Sequence, residues 1–299
     1  MGAAAEASID LTLAGRTLRF AGDPRDSYFQ SLESFHAAAP RLEHYLRRHI
    51  REDAVCLDIG ANIGLTSMLL ATFCPRGRVY AFEASPKNAR YLRRNLELNG
   101  IDTCVVVEAA VGERPGVVPF RETEFCAGSH VAQRAAGARD PSVVPVPMIA
   151  IDGFVEAEKL AATRIDLMKV DVEGFEPAVL AGAASTIERC RCPIFMEFNS
   201  WCLLTLQNFN PLAFATAVLD AFQVQRIEGE GTLATDADGS VGAFLYRNLF
   251  RSGCVDDILI RLKPGRRVPS LDEMTRCGQD LENLRELRAL RAELAALRA

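Results

Sequence analysis

The sequence predicts an α/β fold on a mostly parallel sheet, and three observations carry that prediction. Apolar strand-like runs alternate with helix-like stretches along most of the chain. The first run, Val55-Cys56-Leu57-Asp58-Ile59, breaks into a turn bearing Gly60 and Gly64 and enters a helix from Leu65. Later runs end on acids, at Glu83, Asp171 and Glu197. Open parallel sheets bind ligands outside the carboxyl ends of their strands, so glycines and acids gathered there predict a cleft.

Composition narrows the class. A chain of 299 residues, 49% hydrophobic and 24% charged, can bury one large core or two small ones. We expect an N-terminal hairpin and helices over residues 1–50, a main domain over 51–265, and a C-terminal helix over 270–299. The net charge of −5 and the lack of a basic stripe argue against nucleic acid as a partner. Nine cysteines, an odd number with several inside apolar runs, fit free thiols in a reducing cytoplasm better than a disulfide framework. Cys190-Arg191-Cys192 is not a C-x-x-C pair and none of His36, His44, His49 and His130 lies at ligand spacing from it, so no metal is expected. No apolar run is long enough to span a bilayer and Met1–Glu6 lacks a signal-like pattern, so a soluble cytoplasmic protein is the expectation.

In chain order, residues 9–13 and 16–20 alternate around Ala14-Gly15, a hairpin signal. Apolar residues from Phe29 to Ile50 recur at helical spacing around Pro40, giving two helices. Strand two, Arg78–Glu83, leads to a helix capped by Ser85 with Pro86 in its first turn and Asn99-Gly100 as the stop. Val105–Glu108 is a third strand, and the small residues Ala109 and Ala110 after it leave room for a flat ring. Residues 120–143 lose all pattern and read as a long loop, a lid candidate carrying Ser129 and His130. Pro145 and Pro147 confine residues 144–148 to an edge strand or an extended segment, and Asp152 is the expected cap of a short helix. A fourth strand carries Lys169, Asp171 and Glu173 out of its carboxyl end. Period two puts Lys169 and Asp171 on one side. Glu176 reads as a helix cap with a surface ion pair. Residues 192–199 give a fifth strand, 212–222 a helix, 224–227 a strand, 228–240 a turn region and 256–262 the last strand; residues 241–250 have no clear assignment. Leu287, Leu290, Leu294 and Leu297 step by three and four, a short heptad pattern that could join a partner helix or a second copy, or pack back on the domain.

The turn itself narrows the ligand. Dinucleotide folds need G-x-G-x-x-G to seat a pyrophosphate, whereas here the glycines stand four apart with Asp58 before them. D-x-G-x-x-x-G followed by an acid ending strand two resembles the cofactor site of S-adenosylmethionine-dependent methyltransferases, and a sulfonium and an ammonium suit carboxylates better than a pyrophosphate would. Three motifs in order, residues 58–64, 82–86 and 166–176, resemble those of the FkbM family of methyltransferases, and the likeness covers roughly residues 50 to 200. It implies a class I, Rossmann-like methyltransferase fold with a mostly parallel seven-stranded sheet and one antiparallel strand near its end. It also implies S-adenosyl-L-methionine as cofactor and a hydroxyl acceptor on a sugar, glycan or natural product. The expected cofactor-binding residues are Asp58, Gly60, Ala61, Asn62, Gly64, Glu83, Ala84, Glu108, Ala109, Ala110 and Asp171; the catalytic candidates are Asp171, Glu173, Lys169 and His130. Glu197 and Asn199 enter as companions of Asp171 only in a minority, metal-assisted reading. Two rival readings stand beside this one: a nicotinamide-dependent oxidoreductase, and a non-catalytic coiled-coil interaction module. The acceptor itself is not legible.

Overall fold

The computed structural model describes residues 6–34, 41–132, 140–160, 164–228, 232–234 and 240–276. The hairpin forms from β1 (Ala7–Leu13) and β2 (Arg16–Gly22), paired antiparallel around Ala14-Gly15, whose φ angles of 50° and 80° match the tight turn that right-twisted strands need. A short helix (Ser27–Gln30) and a longer one (Arg41–His49) lead into β3 (Val55–Ile59). Then come the helix Leu65–Phe73, β4 (Arg78–Glu83), the helix Pro86–Leu98, and β5 (Cys104–Glu108). The Ser85 hydroxyl accepts from Asn88 N at 3.2 Å, the cap that the sequence announces.

Residues 104–157 hold more structure than their pattern suggests. β6 (Ala110–Val111), β7 (Gly116–Arg121), β8 (His130–Val131) and β9 (Val143–Ile149) form a second sheet in the order β6-β9-β7-β8. β9 is interior there, which corrects the edge assignment. Pro145 faces Pro119 and Pro147 faces Val117 across β7, while β6 pairs with β9 only at Met148 and Ile149, beyond the last proline. The missing N–H groups therefore fall where the ladder does not need them. The presumed loop of residues 120–143 carries the end of β7, a 3₁₀ turn at Cys126–Gly128, and β8; residues 133–139 of it lie outside the described set. Asp152 does not cap its own helix, Ile151–Ala157, but accepts from Ser185 N at 2.9 Å and Thr186 N at 2.8 Å, capping the helix Ala184–Cys190 instead.

The remaining strands are β10 (Leu167–Val170), β11 (Ile194–Asn199), β12 (Phe222–Glu228), β13 (Thr232–Ala234) and β14 (Val255–Leu262). The main sheet runs β13-β12-β14-β11-β10-β3-β4-β5, so the expected seven strands gain an eighth, β13, which folds back on β12 from the stretch read as a turn. β5, β4, β3, β10 and β11 are parallel, β14 is antiparallel to β11, and β12 is antiparallel to β14. Residues 241–250 form a helix capped by the Ser240 hydroxyl. Leu271–Thr275 forms a short helix that ends at Arg276, whose backbone is extended (φ −131°, ψ 128°), so the expected helix over 270–299 is interrupted there; the heptad leucines lie outside the described residues.

Both faces of the sheet are buried, as parallel strands require. Leu57, Phe82, Met196, Phe198 and Phe214 fill one face; Cys56, Ala81, Phe195 and Leu259 pack on the other with Leu13, Leu18 and Phe20 of the hairpin. Fully burying each large apolar side chain contributes about 1.5–3 kcal/mol, so the hairpin is held by its core and not by its turn alone.

Candidate active site

Strand register puts the charged residues in rows. On the hairpin-side face, Asp58 is level with Lys169, and Lys169 with Phe195. Two residues further toward the carboxyl ends come Gly60, Asp171 and Glu197, with Asp257 of β14 opposite Glu197. These last four, with Glu83 at the end of β4, line one cavity of about 610 Å³, a size typical of small-molecule sites.

The turn after β3 is shaped by contacts that only glycine allows. Gly60 has φ +82°, and a Cβ there would lie 1.8 Å from the Asp171 carbonyl oxygen. The backbones of β3 and β10 therefore meet directly beneath the cavity. Gly60 N and Ala61 N both donate to Phe82 O at 3.0 Å, tying the turn to β4. Asn62 takes φ +51°, and its N–H donates to Glu83 Oε2 at 2.7 Å while Ser85 N donates to Oε1 at 2.8 Å. Burial pushes the Glu83 carboxyl up to about 7 against the pull of those two N–H groups. A carboxylate fixed at both oxygens, with lone pairs left over, suits the paired hydroxyls of a ribose.

The second charged motif folds into a tight turn. Glu173 has φ +54° and Gly174 φ +88°, and the buried Glu176 gathers the turn by accepting from Val172 N at 3.1 Å and Gly174 N at 3.2 Å. This replaces the surface ion pair expected for Glu176, whose carboxyl burial pushes up to about 8. Lys169 Nζ donates to Asp171 Oδ2 at 2.9 Å and to Gly60 O at 3.4 Å. Burial opposes its charge, but the Asp171 and Asp58 carboxylates outweigh that and hold the ammonium above its ordinary range. Glu173 accepts from Cys202 Sγ at 3.0 Å, and burial, then the Asp171 charge, push it up to about 7. Glu197 accepts from Asn199 Nδ2 at 3.0 Å; burial and the charges of Asp171 and Glu173 push it up to about 9.

Of the expected site residues, Gly60, Ala61, Asn62, Glu83, Ala84, Ala109, Ala110, Lys169, Asp171 and Glu173 all line the cavity. Gly64 stands at the start of the helix Leu65–Phe73 with φ +101°. Three expectations need correction. Asp58 is fully buried one row below the rim, taking the Ser67 hydroxyl at 2.5 Å, so it braces the floor beside Lys169 and does not reach the cavity wall. Glu108 turns outward to Arg93, 2.7 Å away, because β5 is the edge strand and its end faces solvent. His130 is held by Gly128 O at 2.9 Å from Nδ1 and lies outside the wall, whereas its neighbours Ser129 and Val131 are part of it.

Sequence reasoning passed over Tyr28, Phe125, Cys126, Trp201, Cys202 and Asp257, which also line the cavity. Trp201 offered one signal: the chain's single tryptophan follows two residues after Asn199, and it is 55% exposed at the mouth. Glu197 reads from the sequence as an acid ending its strand, and with Asn199 as a companion of Asp171 at a metal; among the described residues no group of three or more His, Cys, Asp or Glu is arranged to hold a metal ion. Nor, among them, is any helix long and apolar enough to cross a membrane.

Parallel strands β5-β4-β3-β10-β11 followed by a reversed β14 and then β12, with a glycine turn after β3 and an acid ending β4, define the class I, Rossmann-like methyltransferase arrangement. A family model for the Methyltransferase FkbM domain matches residues 58–208, and the chain belongs to that family. Among curated relatives, it is 25% identical over 160 residues to the 2-O-methyltransferase NoeI of Sinorhizobium fredii, covering 50% of this chain and 65% of that one. It is 26% identical over 144 residues to the hexuronic acid methyltransferase AglP of Haloferax volcanii, covering 48% of this chain and 55% of that one. The match thus spans less than two thirds of either relative. A solved FkbM methyltransferase from Methylobacillus flagellatus superposes with a TM-score of 0.40 at 18% identity, covering 78% of this chain and 53% of that one. An O-methyltransferase from Bacillus cereus in complex with SAH gives 0.41 at 15% identity, over 80% of this chain and 92% of that one.

Proposed function

We propose that the protein is an S-adenosyl-L-methionine-dependent O-methyltransferase acting on a hydroxyl of a sugar, glycan or natural product. The observation that carries this reading is the meeting, in one cavity at the carboxyl rim, of the Gly60–Asn62 turn, the doubly anchored Glu83, and the Asp171–Glu173 acids. Family membership supports the reaction class, the 2-O-methyltransferase NoeI supports transfer to oxygen, and the hexuronic acid methyltransferase AglP supports a sugar-like acceptor. A nicotinamide cofactor has no second phosphate-seating glycine here, and the acids would oppose a pyrophosphate.

The residues present fit the methyl donor. Glu83 would accept from the ribose hydroxyls, Ala109 and Ala110 would flank the adenine, and the Gly60–Asn62 turn would hold the amino-acid end, since all of these line the cavity. When bound, S-adenosylmethionine supplies a methyl group on a positively charged sulfur. Displacement at that carbon is in line, so this chain's part is to aim the acceptor oxygen and take its proton. Glu173, titrating near neutrality at the wall, receives the proton; Asp171, engaged by Lys169, orients the acceptor hydroxyl. Glu197, protonated below about 9, donates a second hydrogen bond to the acceptor.

The described cysteines are all free, which suits the cytoplasmic setting that is part of this proposal. A partner helix or second copy for residues 270–299 is also part of it; sedimentation of the chain with and without residues 277–299 tests association with a second copy, and the same number of copies per particle in both contradicts it. The function itself is tested with methyl-labelled S-adenosylmethionine and a panel of neutral sugars, uronic acids, glycolipids and polyhydroxylated natural products. Label transferred to oxygen in at least one acceptor is the expected result; no transfer alongside measurable SAH binding would overturn the acceptor class, and no SAH binding would overturn the whole reading.

A further inference from the structure

The N-terminal hairpin and helices precede the family match, which starts at residue 58, yet Leu13, Tyr28 and Leu42 line the cavity. A hydrogen-bonded path joins this extension to the ribose acid. Asp26, 4% exposed, uses its two oxygens for different tasks. Oδ1 caps the helix Ser27–Gln30 by accepting from Tyr28 N at 2.9 Å and Phe29 N at 3.4 Å. Oδ2 accepts from Cys126 N at 3.0 Å, a hundred residues away on the 3₁₀ turn that walls the cavity. Cys126 Sγ donates to Asn62 Oδ1 at 3.1 Å, and Asn62 N donates to Glu83 Oε2 at 2.7 Å. Tyr28 and Phe125 pack edge to face beside this path, with ring centroids 5.9 Å apart. Lys87 Nζ, 3.5 Å from Asp23 and 4.0 Å from Asp26, balances the charge.

We propose that Asp26 is a positioning residue for the cofactor site: it clasps the Phe125–Ser129 wall onto the glycine turn, so that Asn62 presents its N–H to Glu83. The inference rests on the cofactor reading above and extends it to a segment outside the family match. Burial, then the Asp26 charge, push the Cys126 thiol up, so it stays protonated and able to donate to Asn62. The Oδ1 cap and the Oδ2 clasp are separable by substitution. Asp26→Asn keeps an oxygen for the cap but turns an NH₂ toward the Cys126 N–H, a donor against a donor.

The test is calorimetry with SAH, thermal melting, and kinetics on S-adenosylmethionine for Asp26→Asn, Cys126→Ala and Cys126→Ser. Asp26→Asn and Cys126→Ala should bind SAH about 3–10-fold more weakly, the effect of one hydrogen bond. Their KM for the methyl donor should rise with kcat nearly unchanged, and their Tm should fall by no more than about 5 °C, the cost of one unpaired buried N–H in a chain of this length. Cys126→Ser, which still donates to Asn62, should restore parental affinity. Parental affinity in Asp26→Asn, an affinity loss matched by a large fall in Tm, or a Cys126→Ser variant as weak as Cys126→Ala would each overturn the proposal. A parent chain that fails to bind SAH would refute the cofactor reading itself.

Discussion

Glu83→Gln separates a binding role from a structural one. The amide matches the carboxylate in shape, but its NH₂ end faces one of two N–H donors, Asn62 N or Ser85 N, leaving that donor without an acceptor. A buried donor left unpaired costs about 1–3 kcal/mol. Against that, the fold holds the Glu83 carboxyl at about 7 rather than its ordinary 4.5. At about 1.4 kcal/mol for each pH unit, removing the charge returns roughly 3 kcal/mol above neutrality. The sign follows from proton binding: between 4.5 and 7 the folded chain keeps a proton that the unfolded chain has released. This group's contribution is therefore full below its unfolded value and is lost as pH rises through 7. The variant should melt below the parent at pH 5 and close to it at pH 8. Its affinity for SAH at pH 8 should still fall, because the ribose hydroxyls lose an anionic acceptor worth about 1.5–3 kcal/mol, or about 10–150-fold. Melting across pH and calorimetry at pH 8 check the two halves. Affinity within about threefold of the parent at pH 8 would refute the ribose assignment.

Other perturbations follow from the same contacts. Gly60→Ala places a Cβ 1.8 Å from the Asp171 carbonyl at φ +82°, so the strain of a left-handed alanine and the overpacking together cost about 2–5 kcal/mol, read as a large fall in Tm with loss of SAH binding. In the parent, kcat for methyl transfer should rise as pH passes about 7, when Glu173 ionises. Glu173→Gln should lower kcat about 10²–10⁴-fold and flatten that limb while leaving SAH affinity intact; a surviving limb would assign the proton to another group. Arg226, buried against Asp256 and over the Phe244 ring at 4.2 Å, ties β12 to β14. Arg226→Met should destabilise the chain by about 3–5 kcal/mol in urea unfolding, since Asp256 keeps its burial but loses its cation.

The centre of the sheet was legible because its strands carry their instructions locally. Val55–Ile59 is apolar and breaks at a glycine, and Ser85-Pro86 caps the next helix whatever surrounds it. Glu83, Asp171 and Glu173 announced themselves as charges at the ends of buried strands. What could not be read depends on pairing. Whether Glu108 faces a ligand or Arg93 is decided by β5 being the edge strand, and nothing in residues 104–108 states that. Pro145 and Pro147 signalled an edge, yet β9 sits inside because β6 meets it only beyond the prolines. Asp152 looked like a local cap and serves a helix more than thirty residues away. Tyr28 reaches the cavity through the fold of the N-terminal extension, and Cys126 through the 3₁₀ turn whose N–H donates to Asp26, so no local pattern marked them.

Whether the cavity at the carboxyl rim holds the nucleoside is decided by a crystal structure of the chain with SAH. The ribose hydroxyls should lie within about 3 Å of Glu83, the adenine beside Ala109 and Ala110, and the sulfur between Gly60 and the Asp171–Glu173 pair. A nucleoside bound elsewhere, or one whose ribose makes no contact with Glu83, would contradict this placement.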